Sequence, residues 1–247
     1  FDDAIRHAIT KMSHLHFTST EAYRKRVIQL GEQPDRVFNV GALGVENIMK
    51  TNFMTKEEIE QSLSFKLTDK CLLCTYHPVT LSNMSSEVQV LNLLAALDVY
   101  KDYHIIFTYS NSDTNSQIII KRIQEYVDKN IERCMFIPSL GQRRYFSVLK
   151  YVTAVIGNSS SGIIEVPSFC IPTLNIGDRQ KGRIAAESVI NCGYLPEEIK
   201  DGLEKVITYG HRTIDNPYYK EGTCQAILDT IKAYPLENIV QKHFYDL

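Results

Sequence analysis

The chain has 247 residues, of which 44% are hydrophobic and 23% are charged, and its formal net charge is −2 at pH 7. This composition is sufficient for the packed core of one large domain or of two domains of ordinary size. Lys and Arg are scattered, which excludes an obvious nucleic-acid-binding face, and no apolar run reaches the length of a membrane span, about 18 residues or more. We therefore expect a cytoplasmic globular protein without nucleic-acid or membrane partners.

The six cysteines lie mostly within apolar stretches, which predicts buried, reduced thiols. Cys71 and Cys74 form a CxxC pair, but the strand-like run between them would turn the two side chains to opposite faces. No second CxxC completes a zinc site, so we expect no bound metal.

The first part of the chain predicts short helices and strands. Apolar residues recur at helical spacing between positions 5 and 12, and the LHFTST stretch that follows is typical of a strand. A second helix is predicted at 20–30, with Ser19 or Thr20 at its start, and a short strand is predicted at 36–40. Helical segments are then expected between 45 and 64.

From residue 71 onward the pattern becomes a regular alternation of strands and helices. Such an alternation is typical of a parallel sheet with crossover helices. We therefore predict an α/β fold with one Rossmann-like domain. The predicted strands are 71–76, 104–109, 134–137, 154–156 and 173–176, and the predicted helices are 86–98, 116–130, 143–151 and 162–169.

The stretch AVIGNSSSGIIEVPSFCIPTLNIGDRQKGR, residues 154–183, carries the clearest functional signal. It predicts a strand, a loop, a short helix and a second strand, with the loop at the carboxyl end of the first strand, where open parallel sheets bind ligands. Gly157 and Gly162 allow the backbone to approach a ligand closely, and the serines between them supply hydroxyl donors. Together with the helix start, these features predict an anion site.

Four side chains of this stretch would suit a nucleotide. Ser159 and Ser160 lie in the loop, and Glu165 lies one turn into the helix, where its carboxylate can accept hydrogen bonds from a ribose diol. Arg179, after the second strand, could place its guanidinium over a diphosphate. An ordinary helix cap beside a solvated arginine explains the same residues equally well from spacing alone.

Two further loops follow strands of the same predicted sheet. His77 follows the strand at 71–76, and Asn111 follows the strand at 104–109. Because the carboxyl ends of parallel strands lie at one edge of a sheet, His77, Asn111 and the serine loop should converge on one crevice. The His77 imidazole can donate to a phosphate. Tyr145, on a later helix, is a candidate to stack on a base, although an aromatic residue there is usually part of a core.

Six motifs spread along the chain carry a resemblance to a known family. They are DDAIRHAITKMSHLHFTST, VIQLGE, VFNVGALG, HPVT, GNSSSGIIEVPSF and NIGDRQKGR. With these motifs the sequence resembles the hydrolysing UDP-N-acetylglucosamine 2-epimerases, in particular the branch of bacterial sialic-acid and capsule pathways. The resemblance implies two Rossmann-like domains that face each other across a cleft, as in GT-B enzymes, with UDP held mainly by the second domain.

The resemblance also implies a domain division. Residues 1–48 would be the end of the first domain, residues 49–224 the second, UDP-binding domain, and residues 225–247 a helical tail, interrupted near Pro235, that crosses back toward the first. The chain opens on Phe1 rather than methionine, and first-domain family motifs such as a GSRAEYG-like loop do not occur in it. We therefore expect the first domain to be largely missing.

The resemblance assigns roles to individual residues. Asp2, with Arg6 nearby, would match a cleft-facing carboxylate and arginine that act in catalysis. The implied UDP contacts are His77, Ser159, Ser160 and Arg179 at the phosphates, Glu165 at the ribose, Tyr145 at the uracil and Asn111 in the lining of the site.

The implied reaction converts UDP-N-acetylglucosamine to N-acetylmannosamine and UDP through a 2-acetamidoglucal. It needs no nicotinamide or metal cofactor, and the resemblance implies a homo-oligomer, either a dimer or a tetramer. The same reaction on UDP-2,4-diacetamido-2,4,6-trideoxyglucose, a GT-B glycosyltransferase and a non-catalytic UDP-binding module are alternatives. Because most acid/base carboxylates of the family lie in the first domain, we expect these 247 residues alone to bind UDP weakly and to turn over no substrate.

Overall fold

The computed structural model describes residues 2–79, 83–109, 116–210, 212–237 and 239–247. The chain forms two compact units. Unit 1 contains Phe1–Lys50 and Pro217–Leu247, and unit 2 contains Thr51–Asn216. Residues 217–224, which the sequence analysis grouped with the second domain, therefore belong to the same unit as the start of the chain.

Helices and parallel strands make up both units in the described part of the chain. The helices are α1 (Asp2–Met12), α2 (Glu21–Gln29), α3 (Leu43–Met49), α4 (Lys56–Leu63), α5 (Ser86–Leu97), α6 (Ser116–Lys129), α7 (Gly141–Val148), α8 (Ser161–Ile164), α9 (Pro196–Ile207) and α10 (Thr223–Ala233). The strands are β1 (His16–Thr18), β2 (Val37–Asn39), β3 (Cys71–Thr75), β4 (His104–Thr108), β5 (Cys134–Ile137), β6 (Ala154–Gly157), β7 (Thr173–Ile176) and β8 (Val189–Cys192).

Unit 2 is built on a six-stranded sheet in which all neighbouring strands are parallel, in the order β5-β4-β3-β6-β7-β8. The chain enters at β3, moves outward to β4 and β5, and then returns to β6 on the other side of β3. The strand order therefore reverses between β3 and β6, which is the position where open parallel sheets bind ligands. The predicted α/β, Rossmann-like fold is confirmed.

The central strands of this sheet are apolar in their middle residues. Leu72 and Leu73 on β3 and Ile105 and Ile106 on β4 are all fully buried, although successive side chains point to opposite faces. Continuous apolar strands of this kind are typical of a parallel sheet that is covered on both sides. The buried sheet is therefore a rigid support for the loops that follow the carboxyl ends of its strands.

The starts of several helices are fixed by capping side chains. Thr20 accepts a hydrogen bond from the backbone N–H of Tyr23 at 3.2 Å, which caps α2. At α4, Thr55 and Glu58 form a capping box: Thr55 Oγ1 accepts from the Glu58 N–H at 3.2 Å, and Glu58 Oε2 accepts from the Thr55 N–H at 2.8 Å. Such caps contribute about 1 kcal/mol each, and the Thr20 cap explains why the start of α2 could be predicted from sequence.

Unit 1 contains a parallel β1–β2 pair and a buried carboxylate. Glu32, with 1% of its side chain exposed, accepts hydrogen bonds from Lys11 Nζ at 2.6 Å and Lys242 Nζ at 2.7 Å, and lies 2.9 Å from His16 Nε2. Burial alone would raise the pKa of Glu32, but these three partners outweigh it and lower the pKa to about 2. The carboxylate is thus held charged inside the unit.

The C-terminal segment of unit 1 forms no helix in the described residues after Ala233. The backbone N–H of Tyr245 donates to the carbonyl of Gly31 at 3.0 Å, and the Phe244 ring occupies the space where a Cβ on Gly31 would lie. The helical tail expected at 225–247 is therefore limited to α10. Pro235, which lacks a backbone donor, follows the end of that helix.

Two other details differ from the expected elements. The helix expected at 162–169 is split into α8 and the 3₁₀ helix Val166–Phe169, with Pro167 near the start of the second piece. Strand β8 and helix α9 were not among the predicted elements. None of the helices in the described ranges is long and apolar enough to cross a membrane.

Candidate functional site

The candidate site lies at the carboxyl edge of the sheet, where three neighbouring strands end within one residue of the same level. Thr75 at the end of β3 pairs with Gly157 at the end of β6, and Gly157 pairs with Asn175 on β7. The loops that carry His77, the serines and Arg179 therefore start side by side. This arrangement follows from the parallel register of the strands.

Asn158, the residue directly after β6, connects the first two of these loops. Its side chain is fully buried and pairs with the backbone of His77 in both directions. The His77 N–H donates to Asn158 Oδ1 at 2.7 Å, and Asn158 Nδ2 donates to the His77 carbonyl at 2.8 Å. These partners fix the orientation of the amide, because the oxygen must face a donor and the nitrogen an acceptor.

The main chain of Asn158 connects the third loop, which carries Arg179, to the first two loops. Arg179 Nη1 donates to the Asn158 carbonyl at 3.1 Å, and Gln180 Nε2 donates to the same oxygen at 2.8 Å. The Asn158 N–H donates to the Thr75 carbonyl at 3.2 Å. His77, the start of the serine loop and Arg179 are thus brought together around one residue, to which the sequence analysis gave no role.

The turn into the serine loop depends on Gly157. Its φ is +132°, and a Cβ at this position would lie 1.9 Å from the carbonyl oxygen of Thr75. A side chain of any kind is therefore excluded both by the backbone conformation and by the contact. The same close approach allows the Asn158 N–H to reach Thr75.

The three serines lie at the start of α8 and are half-buried. The Ser159 hydroxyl accepts from the Ser161 N–H at 3.4 Å, and the Ser160 carbonyl accepts from the N–H groups of Ile163 and Ile164. The hydroxyls of Ser159 and Ser160 can donate to a ligand in this geometry, whereas the Ser161 hydroxyl is hydrogen-bonded to Tyr145 and Glu165.

Glu165 places a carboxylate beside these serines. Burial raises the pKa of Glu165, whereas a hydrogen bond with Ser161 and the positive charge of Arg183 act in the opposite direction. Its Oε2 atom is buried and has no hydrogen-bond partner among the described residues. A buried carboxylate oxygen without a partner is costly, and a ligand hydroxyl would satisfy it.

Tyr145 on α7 joins the same group of side chains. Its phenol oxygen is hydrogen-bonded to Ser161 Oγ, and burial raises the pKa of the phenol. The ring centroid lies 5.8 Å from that of Phe146. The tyrosine hydroxyl, Ser161 and Glu165 therefore form a chain of polar groups at the start of α8.

The remaining predicted site residues are Arg6, Asp2 and Asn111. Arg6 lies on α1 in unit 1, where it is exposed. The side chain of Asp2 and the whole of Asn111 lie outside the described residues. Over the described ranges, no group of three or more His, Cys, Asp or Glu side chains is arranged to hold a metal ion.

Comparisons with known proteins identify the family. A family model described as UDP-N-acetylglucosamine 2-epimerase matches residues 1–232. The chain belongs to this family. The resemblance drawn from the sequence motifs is thereby confirmed.

Curated relatives of the family extend beyond the length of this chain. The chain is 42% identical over 257 residues to a polysialic acid biosynthesis protein of Escherichia coli, covering 100% of the chain and 64% of the relative. It is 41% identical over 259 residues to a GDP/UDP-N,N'-diacetylbacillosamine 2-epimerase (hydrolyzing) of Campylobacter jejuni, covering 100% of the chain and 65% of the relative. The chain thus spans less than two thirds of the length of these relatives.

Solved structures of the family share the fold. The UDP-GlcNAc 2-epimerase of Neisseria meningitidis, solved with UDP-GlcNAc, has a TM-score of 0.66 and 18% identity, over 90% of this chain and 62% of that chain. The Methanocaldococcus jannaschii UDP-GlcNAc 2-epimerase, solved with UDP-GlcNAc and UDP, has a TM-score of 0.67 and 15% identity, over 89% of this chain and 61% of that chain.

Proposed function

We propose that this chain forms the nucleotide-binding part of a hydrolysing 2-epimerase that acts on a UDP-linked 2-acetamido sugar. The observation that carries the proposal is the convergence of His77, the serine loop and Arg179 around Asn158 at the point where the strand order reverses. This is the position at which open parallel sheets bind nucleotides. Family membership supports the same conclusion.

In this proposal each group meets a different part of UDP. The Arg179 guanidinium, the His77 imidazole and the hydroxyls of Ser159 and Ser160 bind the diphosphate. The unpartnered carboxylate oxygen of Glu165 accepts from the ribose diol. The Tyr145 ring stacks on the uracil, and Asn111 lines the same site.

The reaction that we propose begins with an elimination. A carboxylate removes the proton from C2, the C1–O bond to UDP breaks with its electron pair leaving on UDP, and a 2-acetamidoglucal remains. Water then adds across the double bond, with hydroxyl at C1 and a proton at C2 in inverted configuration. The site of unit 2 would stabilise the negative charge that develops on UDP, and Asp2 and Arg6 would act on the sugar.

The first candidate substrate is UDP-N-acetylglucosamine, which would give N-acetylmannosamine. A second candidate is the UDP-2,4-diacetamido-2,4,6-trideoxy sugar, because two relatives, at 41% and 33% identity, carry the name of a diacetylbacillosamine 2-epimerase. Supplying each sugar, as its UDP and its GDP derivative, to the 247-residue protein and to a longer polypeptide that contains it distinguishes the candidates. From the longer protein only, we expect a free 2-epimeric amino sugar together with the nucleoside diphosphate of the derivative that it accepts. Transfer of the sugar to an added acceptor, with no free amino sugar, would instead identify a glycosyltransferase.

Binding of UDP tests the site directly. In calorimetric titrations of the 247-residue protein, we expect Arg179→Ala and Glu165→Ala each to weaken UDP binding by about 10-fold to 100-fold, because each removes a hydrogen bond to or from a charged group. Arg212→Ala and Glu204→Ala, which alter exposed residues of the same unit, serve as matched controls. Unchanged affinity in both site variants would exclude this location for UDP.

The two parts of Tyr145 can be separated by substitution. Tyr145→Phe removes only the hydroxyl that contacts Ser161, so we expect UDP affinity to change by less than about 10-fold. Tyr145→Ala also removes the ring, and we expect a loss of about 10-fold to 100-fold, as stacking on a base is worth about 1–3 kcal/mol. Equal affinities of the two variants would show that the ring does not stack on the base.

A further inference from the structure

Asn158 makes an unusual set of contacts for a residue in a loop. Its amide pairs with both the N–H and the carbonyl of His77, as one strand residue pairs with another across a ladder. The loop after β3 is thus held to the loop after β6 beyond the last residues of the two strands. Without this pairing, the strand register would fix the chain only as far as Thr75 and Gly157.

The opposite side of Asn158 fixes the guanidinium of Arg179. The Asn158 carbonyl accepts from Arg179 Nη1 and from Gln180 Nε2, and Gln180 is itself buried. An arginine side chain has several rotatable bonds, so a fixed acceptor on its inner side restricts where its outer N–H groups can point. One residue therefore sets the separation between the His77 loop and the guanidinium.

We propose that Asn158 is a positioning residue of the nucleotide site, which holds His77 and Arg179 at the spacing that a diphosphate requires. The inference rests on the proposed function, since it concerns the same site. Charged and polar donors stabilise an anion best when they are oriented before it arrives, because no further reorganisation is then needed. Asn158 supplies this orientation through its side chain and its carbonyl together, and it needs no contact with the ligand.

A buried asparagine also needs hydrogen bonds for stability alone. The two roles differ in what they do to ligands. If Asn158 only stabilises the unit, its loss should weaken uridine and UDP binding alike. If it positions His77 and Arg179, the loss should fall on the diphosphate, and uridine, which has no phosphate, should bind as before.

The test compares the binding of UDP and uridine to wild type and Asn158→Ala by calorimetry. The substitution removes the amide that holds the His77 loop and keeps the carbonyl that accepts from Arg179. We expect UDP affinity to fall by about 30-fold, the loss of one oriented hydrogen bond to a charged group, and uridine affinity to stay within about twofold. Asn175→Ala is the matched control, because Asn175 is equally buried on the neighbouring strand and its amide donates to Asn191. That variant should lose stability with no change in the ratio of UDP to uridine affinity.

A second variant covers the case in which Asn158→Ala does not fold. Gln180→Met keeps the length of the side chain but removes one of the two donors to the Asn158 carbonyl. We expect a smaller loss of about 3-fold to 10-fold that is again confined to UDP.

The outcomes are distinct. Equal losses for uridine and UDP, or no loss in either variant, would overturn the positioning role while the wild type still binds UDP. A wild-type protein that binds neither ligand would overturn the proposed function and this inference with it.

Discussion

Substitution of Gly157 by alanine is expected to lower the free energy of unfolding of unit 2 by about 4 kcal/mol. Two costs combine at this position. The backbone is held at a φ of +132°, which costs an L-residue about 1–3 kcal/mol, and the new Cβ would lie 1.9 Å from the carbonyl oxygen of Thr75. That carbonyl belongs to the central strand of a buried sheet, so relief of the contact would require a backbone shift of about 1–3 kcal/mol.

Gly210→Ala separates the two costs. Gly210 also has a positive φ, +72°, but a Cβ there would meet no atom within 4 Å. We expect it to lose only about 1–2 kcal/mol, the cost of the left-handed conformation. Urea denaturation followed by circular dichroism measures both variants. Equal losses for Gly157→Ala and Gly210→Ala would mean that the sheet edge absorbs the close contact without cost.

Replacement of Glu32 by glutamine is expected to destabilise unit 1 by about 3 kcal/mol at pH 7. Glutamine has nearly the same shape, but it leaves the half-exposed Lys11 and the more buried Lys242 without the negative charge that neutralises them. The Lys242 ammonium also donates to the carbonyls of Lys11 and Ser13, so its displacement would loosen the C-terminal segment. Asp102→Asn is the matched control, because it removes one partner of an exposed pair with Lys70. We expect that variant to be close to wild type.

The Glu32 carboxylate also predicts a pH dependence. Its pKa is about 2 in the folded protein against 4.5 for the ordinary group, so its contribution is fully present above about pH 4.5 and is lost as the pH falls toward 2. The difference corresponds to about 3 kcal/mol. Burial lowers the pKa of His16, which faces Glu32. The folded protein therefore also loses stability through His16 as the pH falls below 6.5.

Denaturation curves of wild type and Glu32→Gln at about pH 7, 5, 4 and 3 would measure this pH dependence. The variant should lose less stability than wild type across the acid range, because it has no carboxylate to protonate. Parallel curves for the two proteins would show that the charge of Glu32 does not stabilise the fold.

The strands of the sheet could be predicted because their sequence carries the whole signal. Each central strand is a short apolar run bounded by polar or small residues, and its position follows from that pattern alone. Strand β8 has a weaker sequence signal. Its apolar run is only Val189 and Ile190, and its side chains are partly exposed rather than continuously buried. The end of the chain carries a weaker signal for a related reason. The Tyr245 N–H donates to the carbonyl of Gly31, a partner that is distant in sequence.

Sequence predicted which loops lie together at the candidate site, but not the hydrogen bonds that join these loops. The residues at the ends of β3, β6 and β7 could be placed together, since parallel strands share a carboxyl edge. Asn158 could not be distinguished from an ordinary cap residue, because its partners His77 and Arg179 lie 81 and 21 positions away. The position of Asn158 was nevertheless a signal. An asparagine directly after a buried strand has a buried amide, and a buried amide needs hydrogen-bond partners.

The discontinuous course of unit 1 has a consequence for how the protein is made. Unit 2 is one continuous stretch, whereas unit 1 needs Pro217–Leu247 to meet Phe1–Lys50. During synthesis on the ribosome the chain emerges from its amino end, and domains fold as soon as their residues are available. Unit 2 can thus complete its sheet early, while residues 1–50 remain without their partner segment, accessible to chaperones and proteases, until residues 217–247 have been made.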